Sequence, residues 1–178
     1  MKKQFLRLLS GLIPAVAMLT NVNAQVAKAG LEMNLKEYIF NEAKANLALN
    51  TEGNTVNVNS RALKDFTKTF KPANNAAWYA IKDGTVAKFT ENGIETSAYY
   101  DLKGRWTSTI RTYGESQLPK DIRHLVKSSY YDYSIFQVNE VTVGDKKAYL
   151  VRMQDAKTLK TIRVVDGEMD VYEDYIKG

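Results

Sequence analysis

The run Ile94-Glu95-Thr96-Ser97-Ala98-Tyr99-Tyr100-Asp101-Leu102-Lys103-Gly104-Arg105-Trp106-Thr107-Ser108-Thr109-Ile110-Arg111-Thr112-Tyr113 decides how the rest of the chain is read. In its first half the even positions Ile94, Ala98, Tyr100 and Leu102 are apolar, while Glu95, Ser97, Tyr99 and Asp101 are mostly polar. Period-two alternation describes a strand with one buried and one wet face. Lys103-Gly104 reads as a turn. Beyond it the even positions Trp106, Ser108 and Ile110 are expected to look inward. Arg105, Thr107, Thr109, Arg111 and Tyr113 are then expected to look outward. Two antiparallel strands follow from this pattern.

Working upstream, Asp83-Gly84 and Asn92-Gly93 are two-residue hairpin signals. They add strands at Ala76 to Lys82 and Thr85 to Glu91, completing a four-stranded meander. Before it, Asn59-Ser60 is a good N-cap pair, and Leu63, Phe66 and Phe70 share one helix face. Lys64, Lys68 and Lys71 lie elsewhere on the wheel and late in the helix, where cations suit its dipole. Pro72 stops the helix and Ala73-Asn74-Asn75 forms a loop.

The pattern recurs downstream. Pro119 suits a first helical turn, and Ile122, Leu125, Val126 and Ser129/Tyr130 form an apolar stripe. Strands are expected at Ser134 to Val143, Lys146 to Gln154, Leu159 to Val165 and Glu168 to Tyr175, with turns at Gly144-Asp145 and Asp166-Gly167. Their inward sets are Phe136 and Val138; Tyr149, Val151 and Met153; Ile162 and Val164; Met169 and Val171. Leu63 and Ile122 lie roughly sixty residues apart, the offset of a duplicated unit. The expected fold is α+β: two helix-plus-antiparallel-meander units in tandem, about 58–114 and 115–178. The helices pack on one face of the sheet and leave the other open.

The first residues read as targeting. Lys2, Lys3 and Arg7 precede an apolar stretch from Leu8 to Leu19, and Val22-Asn23-Ala24 closes it with small residues, the pattern of a secretory signal cleaved near Ala24. A run of about a dozen apolar residues is short of the roughly 20 that span a bilayer, so no transmembrane anchor is expected. The working protein is then periplasmic or secreted. Removing 24 of the 178 residues leaves 154, and the formal charge of +5 loses three cations and no acid, becoming +2. A near-neutral chain gives a nucleic-acid partner little support. Residues 25–57 form either a leader or a loose helix, in which Leu31, Leu35, Ile39, Ala43 and Leu47 recur every four residues before the breakers at Asn50 to Asn54.

The runs Asn59 to Phe66 with Phe70, then Trp78, Phe89-Thr90-Glu91-Asn92-Gly93-Ile94, Ala98 to Gly104, Leu118-Pro119 and Asp166-Gly167-Glu168-Met169 also match a known set in order and spacing. Together they resemble the PepSY-like, beta-lactamase-inhibitor-like proteins exported by Bacteroidetes-type bacteria, over about residues 58–178. The resemblance implies the build of the family's namesake inhibitor, two helix-plus-sheet units whose curved sheet grips an enzyme. The family's namesake inhibitor carries disulfides in its repeats, whereas this chain has no cysteine.

Zero cysteines and one histidine remove thiol nucleophiles, cysteine-ligated metals and multi-histidine sites. His124, beside Arg123 on the second helix, reads as a surface histidine. No nucleophile elbow, phosphate loop or metalloprotease motif is present, and no cofactor is expected. Asp166, Glu168, Asp170 and Asp174 alternate with Tyr172, so a regular strand would put them on one face as weak cation candidates. Tyr99, Arg105, Arg111 and Tyr113 are expected on the wet face of the first meander, with Tyr131 exposed near the second helix. Tyrosine and arginine are the side chains of protein-recognition hot spots. The reading is a non-enzymatic exported binding or inhibitor-like protein that holds a protein, peptide or envelope component on its open sheet face. A small periplasmic enzyme of unfamiliar type, or a cation-responsive envelope sensor, is the alternative.

Overall fold

The computed structural model describes residues 56–71 and 76–178. The readings for the signal segment, for the leader up to residue 55 and for the stop at Pro72 lie outside the described residues. Helix α1 (Ser60–Thr69) starts where Asn59 turns its side chain onto the backbone, Oδ1 accepting from the Arg61 amide at 2.9 Å. Strands β1 (Ala77–Ile81), β2 (Gly84–Glu91), β3 (Ile94–Asp101) and β4 (Trp106–Tyr113) follow. A short 3-10 turn (Glu115–Gln117) leads to helix α2 (Lys120–Ser129), and then come β5 (Ser134–Val143), β6 (Lys146–Gln154), β7 (Thr158–Val165) and β8 (Glu168–Ile176). All eight strands form one antiparallel sheet in sequence order. Hairpins built on Asn92-Gly93 and Asp166-Gly167 put both residues of each pair at positive φ, the geometry those residues supply at least cost.

Two apolar clusters hold the helices on one face of this sheet. Ala62, Phe66 and Phe70 of the first helical segment meet Trp78, Ala87, Phe89, Ala98, Tyr100 and Trp106. Phe66 is the hub, edge-on to Trp78 and Phe89 with centroids 5.3 and 5.1 Å apart. Ile122 and Val126 of α2 meet Ile94, Tyr113, Val138, Val151, Met153, Ile162 and Val164. Leu63, expected on the buried stripe, is 47 % exposed. The stripe runs instead through Ala62 and Phe66 at i, i+4 spacing, a shift of one position around the wheel.

Bulges rearrange the rest. Ser97 pairs Ile110 and Tyr99 pairs Ser108, but Tyr100 pairs Trp106, so Thr107 is an extra residue in β4. Paired residues share a face. Trp106 therefore faces the helices as expected, while Ser108 and Ile110 turn to the opposite face. Thr109, Arg111 and Tyr113 turn to the helix face, the reverse of the sequence expectation. A second bulge, at Phe136 in β5, leaves Ile135 opposite Met153 and Gln137 opposite Arg152. Ile135 is buried and Phe136, expected inside, is 45 % exposed.

Truncating Phe66→Ala is expected to lower unfolding free energy by about 3–5 kcal/mol, because the ring is enclosed and its neighbours are rigid aromatics. Leu63→Ala on the same helix is expected to cost under about 1 kcal/mol, in keeping with a surface position. Urea unfolding of the two variants checks the assignment of the buried stripe.

Candidate functional site

The face opposite the helices is neither polar nor wet at its centre. Val86, Tyr99, Ile110, Val141, Ala148, Leu150 and Val165 form a continuous apolar row across β2 to β7, flanked by Tyr79, Ile81, Val143 and Tyr172. Each of these residues lies on a strand. The polar residues among them are largely internally paired. Asn139 Nδ2 donates to Thr112 Oγ1 at 2.9 Å, and Thr161 Oγ1 donates to Glu173 Oε2 at 2.9 Å. Arg163 forks onto Asp170 and lies 5.7 Å over the Tyr172 ring.

The five residues singled out from sequence do not form one surface. Tyr99 is on the expected face, but within the apolar row and 2 % exposed. Arg105 stands at the β3–β4 tip, bound to Asp101 at 2.7 Å and exposed. Hydrogen bonds from the Arg105 and Lys103 amides, with the Arg105 guanidinium, hold the Asp101 carboxyl below its ordinary range. Arg111 and Tyr113 lie on the helix face because of the Thr107 bulge. Tyr131 is exposed at the far end of the sheet, two residues before the buried Tyr133.

What Arg111 and Tyr113 do build is a polar cluster that the sequence reading passed over. Tyr113 Oη donates to Glu140 Oε2 at 2.7 Å. Lys147 Nζ reaches Glu140 Oε1 at 2.8 Å, and Arg111 Nη1 stands 3.7 Å from Oε2. Burial alone would raise the Glu140 pKa, but the hydrogen bonds from Lys147 and Tyr113 and the two cations outweigh it and the carboxyl is held low. Lys147 is pushed up by its bond to Glu140. Tyr113 is pushed up by burial and by its bond to the carboxylate, as is Tyr149 by burial and the same negative charge. Each carboxylate oxygen of Glu140 already has a donor of this chain against it, which suits a structural joint better than proton transfer. The signal was present in the sequence: Glu140 has the same parity as Val138, so an acid was being placed inward, with Lys146-Lys147 just across the turn.

The C-terminal acids are also divided. Tyr172 is a bulged residue, so Glu173 rather than Asp174 shares the face of Asp170. Asp170 pairs Arg163, Asp174 pairs Lys160 on the helix face, and Asp166 at the turn pairs Lys146 at 3.2 Å. Glu168 is exposed at the strand start. Among the described residues no three acids or histidines converge as a metal site. His124 is exposed on the outer side of α2, lining a shallow groove with Glu115, Lys120, Arg123 and Lys127.

No protein-family model matches this sequence, and no curated protein does. Solved structures do. A DUF2874 family protein from Bacteroides ovatus superposes with a TM-score of 0.57 at 16 % identity, over 70 % of this chain and 89 % of its own. A BLIP-like protein from Bacteroides fragilis gives 0.57 at 15 % identity, over 68 % and 87 %. A candidate periplasmic protein from Bacteroides eggerthii gives 0.55 at 16 % identity, over 68 % and 90 %. The chain has the fold of these proteins.

Replacing Glu140→Gln is expected to destabilise the fold by roughly 1–3 kcal/mol at neutral pH, since Lys147 and Arg111 lose their counter-charge. A carboxyl whose pKa is lowered on folding contributes stability above its unfolded pKa. That stability is lost as pH falls through the folded value. The deficit of the variant is therefore expected to shrink as pH is lowered below about 4.5, as read by urea unfolding at several pH values.

Proposed function

We propose that this chain is a non-enzymatic exported binding or inhibitor-like protein. It recognises a protein or peptide through the sheet face opposite its helices. The observation that carries the reading is the apolar row from Val86 to Val165 on that face. Both described helices pack on the other side, so the fold's own layering does not call for apolar side chains there. An antiparallel sheet that only met water on this face would carry polar residues. Tyr79, Ile81 and Tyr172 at the margins supply aromatic and aliphatic contacts of the kind that anchor protein interfaces.

The rest of the reading is consistent with it. The basic and apolar start of the sequence favours export, and one fold neighbour is described as a candidate periplasmic protein. BLIP-like describes another neighbour, and the name supports an inhibitor-type, protein-binding role over an enzymatic one. Among the described residues a helix followed by four strands occurs twice, which supports the tandem-unit reading. No helix among the described residues is long and apolar enough to cross a membrane.

The test is affinity capture from an envelope extract, comparing wild type with a Tyr79→Ala/Tyr172→Ala variant. Both changes fall on half-buried side chains at the margin of the row and spare its centre. Wild type is expected to retain a discrete protein that the variant loses. Recovery of the same proteins by both, or of none by either, removes this face as the recognition surface.

A further inference from the structure

We infer that the groove between α1 and the β3–β4 tip is a second recognition site, on the helix side of the sheet. Its ligand is an extended peptide that alternates acidic and apolar side chains. The groove holds about 370 Å3 and has two unlike walls. Arg61, Lys64 and Lys68 of α1 form one wall, at i, i+3 and i+7 on a single helix face. Trp106, at the start of β4, forms the other together with Arg105.

The charges of the cationic wall are engaged by nothing within the fold. All three side chains are exposed, and among the described residues none of them forms an ion pair or donates a hydrogen bond. Asp65, the one acid in the groove, accepts from the Tyr100 hydroxyl at 3.2 Å instead. The arrangement works against the helix. No acid sits in its first turn, where Arg61 opposes the dipole, and Lys64 and Lys68 repel each other at i, i+4. The second helix is different. It carries the same spacing in Lys120, Arg123 and Lys127, yet there Arg123 binds Glu115 at 2.8 Å and Lys127 donates to the Tyr131 and Tyr133 carbonyls. Two of the three cations of α2 serve the fold, whereas those of α1 are left for an anion from outside it.

The other wall sets the rest of the ligand. Trp106 is half-buried against the aromatic cluster under α1. Its Nε1 donates to Thr109 Oγ1 at 3.0 Å, so the ring offers the groove apolar surface and no free donor. Arg105 is neutralised by Asp101. An extended chain turns successive side chains to opposite sides. Acids on one side then meet α1, and apolar side chains on the other meet Trp106. Same-side residues of such a chain stand about 7 Å apart, close to the roughly 6 Å that separates Lys64 from Lys68 along the helix axis. Long, flexible cationic side chains close the difference. Clustered cations that read an acidic motif, with a tryptophan as anchor, are a means of peptide recognition. A second copy of this chain does not supply the acids, because Asp166, Asp170 and Asp174 are already paired with Lys146, Arg163 and Lys160.

The probe is a short peptide of alternating glutamate and leucine, capped at both ends and labelled with fluorescein, titrated by fluorescence polarisation at low salt. Saturable binding to the full chain is expected. Arg61→Glu/Lys64→Glu reverses the charge of the wall and suits the helix start, so the melting temperature is expected to hold or rise. The same variant is expected to bind the probe at least about tenfold more weakly and to gain affinity for the matching lysine–leucine peptide. Lys120→Glu/Lys157→Glu makes an equal change of net charge away from the groove and is expected to alter binding by less than about twofold. Serine in place of the leucines is expected to weaken the probe at least about fivefold. No saturable binding, equal binding by the Arg61→Glu/Lys64→Glu variant, or an equal loss in Lys120→Glu/Lys157→Glu overturns the proposal. A lowered melting temperature of Arg61→Glu/Lys64→Glu assigns these cations to the fold and overturns it too. So does a serine peptide, or an oligogalacturonate of the same charge, that binds as tightly as the probe, because either leaves the aromatic wall without a part. The site is separate from the apolar row, so Tyr79→Ala/Tyr172→Ala is expected to bind the probe as wild type does. Loss of the probe in that variant moves the peptide to the opposite face and overturns this inference alone.

Discussion

A single antiparallel sheet has two faces, and this chain gives apolar residues to both. That constraint governs the rest of the structure. Ile94, Ala98 and Tyr100 of β3 point to the helices, while Tyr99 between them points the other way into the row of Ile110, Val141 and Leu150. Among the described residues the helices cover only one of these faces, yet the apolar side chains of the other are buried as well, and that burial is what makes them favourable there. Bulges at Thr107, Phe136 and Tyr172 adjust which residues go where. Each inserts one residue into one strand, tightens the local twist and changes parity beyond it.

Much of this was legible in the chain. The turns were, because Asn92-Gly93 and Asp166-Gly167 encode positive φ locally, without reference to a partner strand. So was α1, because Asn59 caps it with its own side chain. The bulges were not. An extra residue exists only relative to the strand opposite, and nothing in Thr107 distinguishes it from Thr109 before their partners in β3 are known. The error propagated from there: one misplaced residue moved Arg111 and Tyr113 across the sheet. Tyr99 shows the other limit of the pattern. Its face was readable from parity, its burial was not, because the covering of a face is a property of the whole molecule. Glu140 was readable and overlooked, an acid at an inward parity with two lysines across the turn.

The joint between the two halves shows what such a polar group is suited to. β4 meets β5 through Thr109–Thr142, Ile110–Val141, Arg111–Glu140, Thr112–Asn139 and Tyr113–Val138. On the helix face, that seam lies at the margin of the cluster gathered by α2, and Arg111 and Glu140 occupy it. Apolar residues here would adhere well but would tolerate a slip of two positions, since period-two alternation restores the same faces. Such a slip would move Arg111 away from Glu140 and leave the buried carboxylate without a cation directly across the seam. On the opposite face the Asn139–Thr112 hydrogen bond would break as well. An unpaired buried charge costs more than its pairing gains. The cluster therefore contributes little to how strongly the halves adhere and much to the register in which they do. In a chain with no disulfide to fix one half against the other, that register is held by Tyr113, Glu140, Arg111 and Lys147, and the continuity of the apolar row from β2 to β7 depends on it.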